Sequence, residues 1–111
     1  MIINFDLINK VTTKNVKGGN KELTLQIFAD ENYKIMLGEL EPGASVGMHT
    51  HEKNFEILFL ISGTAKILFD DVNMRELKSG ECHYCPQGHK HSVINDGAEK
   101  LKFFAVSSVY V

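Results

Sequence analysis

The spacing of the turn signals limits this chain most. Clusters of Gly, Asn, Asp and Ser interrupt it about every eight to twelve residues, and the apolar residues between them alternate or run in short blocks. No long stretch follows the 3.6-residue helical period. In "LTLQIFA" (23–29), Leu23, Leu25 and Ile27 fall on one face of an extended strand. "YKIMLGELE" (33–41) follows a turn-like "DEN", and "EPGAS" reads as a loop. "FEILFLI" (55–61) and "TAKILFD" (64–70) flank the turn "SG", and "DVN" turns into the short "MRELK" (74–78). "CHYC" and "HSVIN" are short strands around "PQGHK", and "LKFFAVSSVYV" (101–111) closes the chain. About nine or ten short strands predict an all-β sandwich or barrel.

With 111 residues the chain is expected to form a single domain, 1–111. A domain of this size buries roughly two thirds of its unfolded surface, so it needs no metal or disulfide merely to fold. The net charge of -2 gives no electrostatic case for nucleic acid or membrane binding. The start, "MIINFDLINKVTTKN", lacks the basic and apolar regions of a signal peptide. The apolar run "ILFLI" is far too short to span a bilayer. A cytoplasmic location is expected. "FEILFLI" is apolar on both faces, so one face can line a barrel while the other must be covered by another sheet or a second subunit. A homodimer is the expected assembly.

Two stretches carry chemistry. In "GASVGMHTHEKNFEILFLISG" (43–63), His49 and His51 share a face if the segment is extended, so both imidazoles can reach one metal ion. Glu56 opens the apolar strand after "EKN", and a carboxylate buried there needs a partner. The second stretch is "GECHYCPQGHKHSVIN" (80–95). Together they read G-x5-H-x-H-x4-E-x6-G (Gly43, His49, His51, Glu56, Gly63) and G-x5-P-x-G-x2-H-x3-N (Gly80, Pro86, Gly88, His91, Asn95). This pattern resembles the two signature motifs of the cupin superfamily. The short spacing between them, residues 64–79, resembles that of small single-domain cupins.

The resemblance implies a double-stranded β-helix, or jelly-roll barrel, with His49, His51, Glu56 and His91 as the metal ligands. It implies one divalent transition metal. Fe or Mn suits three imidazoles with one carboxylate, and Zn, Ni or Cu is compatible. Four protein ligands on an octahedral ion leave two positions open to water, substrate or dioxygen. The resemblance does not name a substrate, because one fold hosts many activities.

A zinc finger built from Cys82, Cys85, His89 and His91 fails on spacing, since only three residues separate Cys85 from His89. A redox CxxC would need a helix N-terminus, and no helix follows. On a strand the two cysteines lie about 10 Å apart, too far for a disulfide. Either Cys82 and Tyr84 or His83 and Cys85 face the cavity. His89 and Tyr84 are the candidate proton-transfer residues, with solvent exposure the competing reading for His89. Leu58, Leu60, Phe103 and Tyr33 are candidate cavity walls. The single arginine, Arg75, reads as a surface residue, which disfavours phosphorylated substrates. The expected function is metal-dependent action on a small oxygenated organic substrate, with dioxygenase-like chemistry ahead of isomerase or lyase chemistry. The alternative is a non-catalytic module that binds a small ligand through the metal.

Overall fold

A computed structural model describes residues 1–70 and 73–109. Ten strands form among the described residues: β1 (Val11–Lys14), β2 (Glu22–Ala29), β3 (Tyr33–Leu40), β4 (Ser45–Thr50), β5 (Glu56–Ser62), β6 (Thr64–Phe69), β7 (Asn73–Lys78), β8 (Cys82–Cys85), β9 (Lys90–Ile94) and β10 (Leu101–Ser108). Among the described residues, helical structure is confined to two short 3-10 turns, Phe5–Leu7 and Val16–Gly18. The chain is therefore all-β, as the turn spacing predicts. The turn expected at "DVN" lies largely outside the described residues.

The strands form two antiparallel sheets. One runs β1-β2-β3-β10-β5-β8 and the other β4-β9-β6-β7. Their inner faces meet over a core that includes Leu40, Leu58, Leu60, Ile67, Val93, Leu101 and Phe103. Period-2 alternation produces this directly. In β10, Leu101, Phe103, Ala105 and Ser107 point inward while the residues between them point out.

Three local features depart from the sequence reading. Strand β1, "VTTK", carries no apolar alternation because it is an edge strand exposed at all four positions. It is held by its ladder to β2 and by a 2.9 Å hydrogen bond between the Thr12 and Thr24 hydroxyls. Leu23 and Leu25 pack into the core, but Ile27, on the same face, is 40% exposed. The segment "SVGMHT" becomes β4, directly after the loop "EPGA".

The outer face of the six-stranded sheet is only partly covered. The Phe5 ring meets Phe104 edge-on, with centroids 6.5 Å apart. Gln26 Nε2 donates to the carbonyls of Phe5 and Ile8 at 2.6 and 2.9 Å, which fixes that segment against the sheet. On β5, Ile57, Phe59 and Ile61 remain 38–42% exposed.

Candidate metal centre

His49 and His91 face each other across the β4–β9 ladder. The register is not regular there. Val46 pairs with Val93, but His49 pairs with His91, so β4 carries one extra residue. This β-bulge reverses the alternation, and Val46 and His49 both come to line the interior. Gly47, inside the bulge, permits a close backbone approach. A Cβ there would collide with the carbonyl of Lys17, and one on Gly19 would collide with that of Ser45. The 15–19 segment thus braces the bulge, and the Gly47 carbonyl in turn receives His49 Nδ1 at 2.7 Å.

The three imidazoles converge. His91 Nε2 lies 3.0 Å from His51 Nε2 and 3.1 Å from His49 Nε2. Glu56 Oε1, at the start of β5, lies 3.5 Å from His91 Nε2. The outer nitrogens explain why the inner ones carry lone pairs. His49 Nδ1 faces a backbone carbonyl, which can only accept. His51 Nδ1 lies 2.8 Å from Asn54 Oδ1, and Asn54 Nδ2 donates to the Ser108 carbonyl at 3.2 Å, which fixes the amide's orientation. Each neutral ring therefore spends its hydrogen outward and presents a bare Nε2 inward. Lone pairs aimed at one another at 3.0–3.1 Å repel unless a proton or a cation lies between them. At a metal–nitrogen distance of about 2.1 Å, perpendicular ligands are about 3.0 Å apart and tetrahedral ones about 3.4 Å. The spacings of His91 Nε2 from His51 Nε2 and His49 Nε2 match those of perpendicular ligands. His49, His51 and His91 can hold a metal ion.

Burial favours the neutral rings. It pulls His91 down to about 3, helped by repulsion from His49, His83 and His51. It also lowers His49, against the opposing hydrogen bond to Gly47. Burial raises the Glu56 carboxyl, while the charges of His51 and Lys34 work the other way. A buried carboxylate and neutral imidazoles are what a divalent cation needs, because it binds deprotonated ligands.

The cluster opens into a cavity of about 330 Å³. Leu58 and Phe103 form apolar wall, and Lys17 and Lys34 supply positive charge. Tyr33 is 48% exposed at the end of β3 and is not part of this wall.

The sequence profile of the cupin domain matches residues 36–107, well over half of the chain. The chain belongs to the cupin superfamily. A protein from Thermotoga maritima described as oxalate-binding is 29% identical over 112 residues, covering 96% of this chain and 92% of that protein. A crystal structure of a predicted oxalate decarboxylase, also from Thermotoga maritima, superposes with a TM-score of 0.90 at 26% identity, covering 98% of this cupin and 99% of that chain. The polyketide cyclase RemF from Streptomyces resistomycificus shares the fold at a TM-score of 0.77 and 21% identity, covering 97% of this cupin and 78% of that chain.

The remaining candidates of this cupin divide. On β8 the inward pair is His83 and Cys85, while Cys82 and Tyr84 face outward. Tyr84 is 57% exposed and packs against Phe55 with ring centroids 6.4 Å apart, so the fold does not bring it to the imidazoles. His89 stacks on Phe69 at 5.3 Å and pairs with Asp70 through Nδ1 at 2.6 Å. Those contacts turn it toward β6 rather than into the cluster. Both cysteines are free thiols. Cys85 is fully buried in the core and lies outside the histidine cluster, and burial pushes its thiol up to about 11, which keeps it neutral. Arg75 is exposed on β7, as the sequence reading expects, and borders a groove between β7 and β8 together with Phe69, Leu77 and His83. Sequence reasoning missed Asn54 and Lys17, whose roles come from loop geometry rather than from motif spacing.

Proposed function

We propose that this cupin holds one divalent transition metal on His49, His51, His91 and Glu56, and uses it to bind a small organic dianion of the oxalate type. The observation that carries this reading is the convergence of three Nε2 atoms, two of which, on His49 and His51, are held bare by outer partners that can only accept. A bound divalent ion with a single carboxylate ligand supplies Lewis acidity and about one net positive charge, which attracts anionic oxygen donors. The chain's own residues complete the selection. Lys17 and Lys34 line the same cavity and offer positive charge to a dianion, and Leu58 and Phe103 supply apolar wall. The cavity suits a small ligand. The name of the Thermotoga maritima oxalate-binding relative supports the same class of ligand.

The test is elemental analysis of tag-free protein beside a Glu56→Gln, His91→Ala double variant, followed by calorimetric titration with oxalate. Near-stoichiometric metal lost in the double variant, together with oxalate heat that depends on the metal, supports the reading. No heat with Mn, Fe, Zn or Ni loaded would count against it.

Dioxygenase-type turnover is the second reading. Three imidazoles, with His91 at perpendicular spacing from His49 and His51, and one carboxylate would leave two positions of an octahedral ion for a chelating substrate and dioxygen. Oxygen uptake by the iron-loaded protein with β-diketones, catechols or thiols would favour it over simple binding.

We also propose that a second copy covers Ile57, Phe59, Ile61 and Tyr84, an apolar stripe on the outer face of β5 and β8.

A further inference from the structure

The motif leaves position 83 unspecified, yet His83 makes the contact on which the third ligand depends. His83 Nε2 lies 2.8 Å from His91 Nδ1. The other two ligands are held differently, His49 by a carbonyl and His51 by a fixed amide oxygen, and both of those partners can only accept. An imidazole can either accept or donate. For His91 to present a bare Nε2 to a metal, its hydrogen must sit on Nδ1 and be donated to His83 Nε2. His83 must then carry its own hydrogen on Nδ1. With His83 in the opposite tautomer, His91 would carry hydrogen on Nε2, and the metal-facing nitrogen would be blocked.

We infer that His83 is the positioning residue of the metal centre, fixing the tautomer and ring orientation of His91. This rests on the metal reading above. The surroundings keep His83 in place. The Phe69 ring meets it edge-on at 5.9 Å and 79°, and its ring lies 5.1 Å from that of His91. Its far side faces the groove of about 600 Å³ between β7 and β8. His83 therefore stands in the wall between that groove and the back of His91. An aliphatic side chain could fill the same space. It would leave an Nδ1–H on a side chain with 0% exposure and no acceptor, and moving that hydrogen to Nε2 would relieve the cost at the expense of the metal.

The experiment compares wild type, His83→Leu and His83→Gln. Gln places an acceptor oxygen near the position of Nε2. Zn(II) affinity is read by competition with a chelator, the Cu(II) site by electron paramagnetic resonance, and folding by melting of the metal-free proteins. The expected result is His83→Leu binding Zn(II) about 10–100-fold more weakly with an altered Cu(II) spectrum. His83→Gln should stay within about threefold of wild type, on the same reasoning that an acceptor is retained. Equal affinity and unchanged spectra in His83→Leu would overturn the inference. So would equal weakening in both variants, which would mark His83 as packing only. Failure of wild type itself to bind Zn(II) or Cu(II) would instead remove the metal reading, and this inference with it.

Discussion

The ring of Phe103 lies against the Cα of Gly38, its neighbour across the β3–β10 ladder, so closely that any Cβ on residue 38 would collide with three ring carbons. The glycine makes room for the ring, and the ring forms cavity wall. Gly38→Ala should destabilise the fold by about 1–3 kcal/mol through overpacking. The displaced ring should also weaken ligand binding. Thermal melting and oxalate titration check the two effects, and an unchanged melting temperature would show that the ring can move without cost.

Glu56→Gln should have opposite effects with and without metal. In the metal-free protein burial disfavours the charged form of the Glu56 carboxyl, so replacing it with a neutral amide should raise the melting temperature. In the metal-loaded protein the same change would remove the anionic ligand proposed above. Wild type should gain about 2.7 kcal/mol from metal at a hundred times its Kd, and the variant should gain far less. Paired melting curves with and without metal measure both signs.

Acid should destabilise the metal-free fold before it titrates ordinary carboxyls. Burial lowers His91 from 6.5 to about 3, so between those values the unfolded chain binds a proton that the folded chain refuses. Stability is therefore lost as pH falls below about 6.5 and the loss from this group saturates near 3. The slope for one such group is at most about 1.4 kcal/mol per pH unit. His49 and His83 act in the same direction. The raised Glu56 opposes them, so denaturant midpoints in the Glu56→Gln background give the clearest reading. A flat profile from pH 7 to 5 would contradict the burial of neutral imidazoles.

Phe59→Lys places a charge in the centre of the exposed β5 stripe, where the native ring is 41% exposed. If a second copy covers that stripe, the variant should shift from dimer to monomer in light scattering while its metal content stays at the wild-type level. A wild-type protein that is already monomeric at micromolar concentration would remove the dimer proposal.

The site was legible where chemistry follows spacing. Two histidines two apart share a face of an extended segment, and the structure places the His49 and His51 rings 4.9 Å apart. The bulge was not legible, since regular alternation from Val46 would have turned Met48 inward and His49 outward. The facing of β8 was equally hidden. Cys82 with Tyr84 and His83 with Cys85 are similar in polarity, and only the register Leu58↔His83 decides between them. Partners supplied by loops and backbone, such as Asn54 Oδ1 and the Gly47 carbonyl, leave no periodic trace in a sequence. Neither does the edge strand β1, whose ladder hydrogen bonds need no particular side chain.

One placement has a mechanical meaning. His49 and His91 belong to the four-stranded sheet, and Glu56 to the six-stranded one. At the cavity end, then, an ion held by all of them would rivet the two layers together. Demetallation would be felt there as a seam coming undone, with amide hydrogens near Glu56 and His91 exchanging sooner while the leucine-packed far end stayed shut.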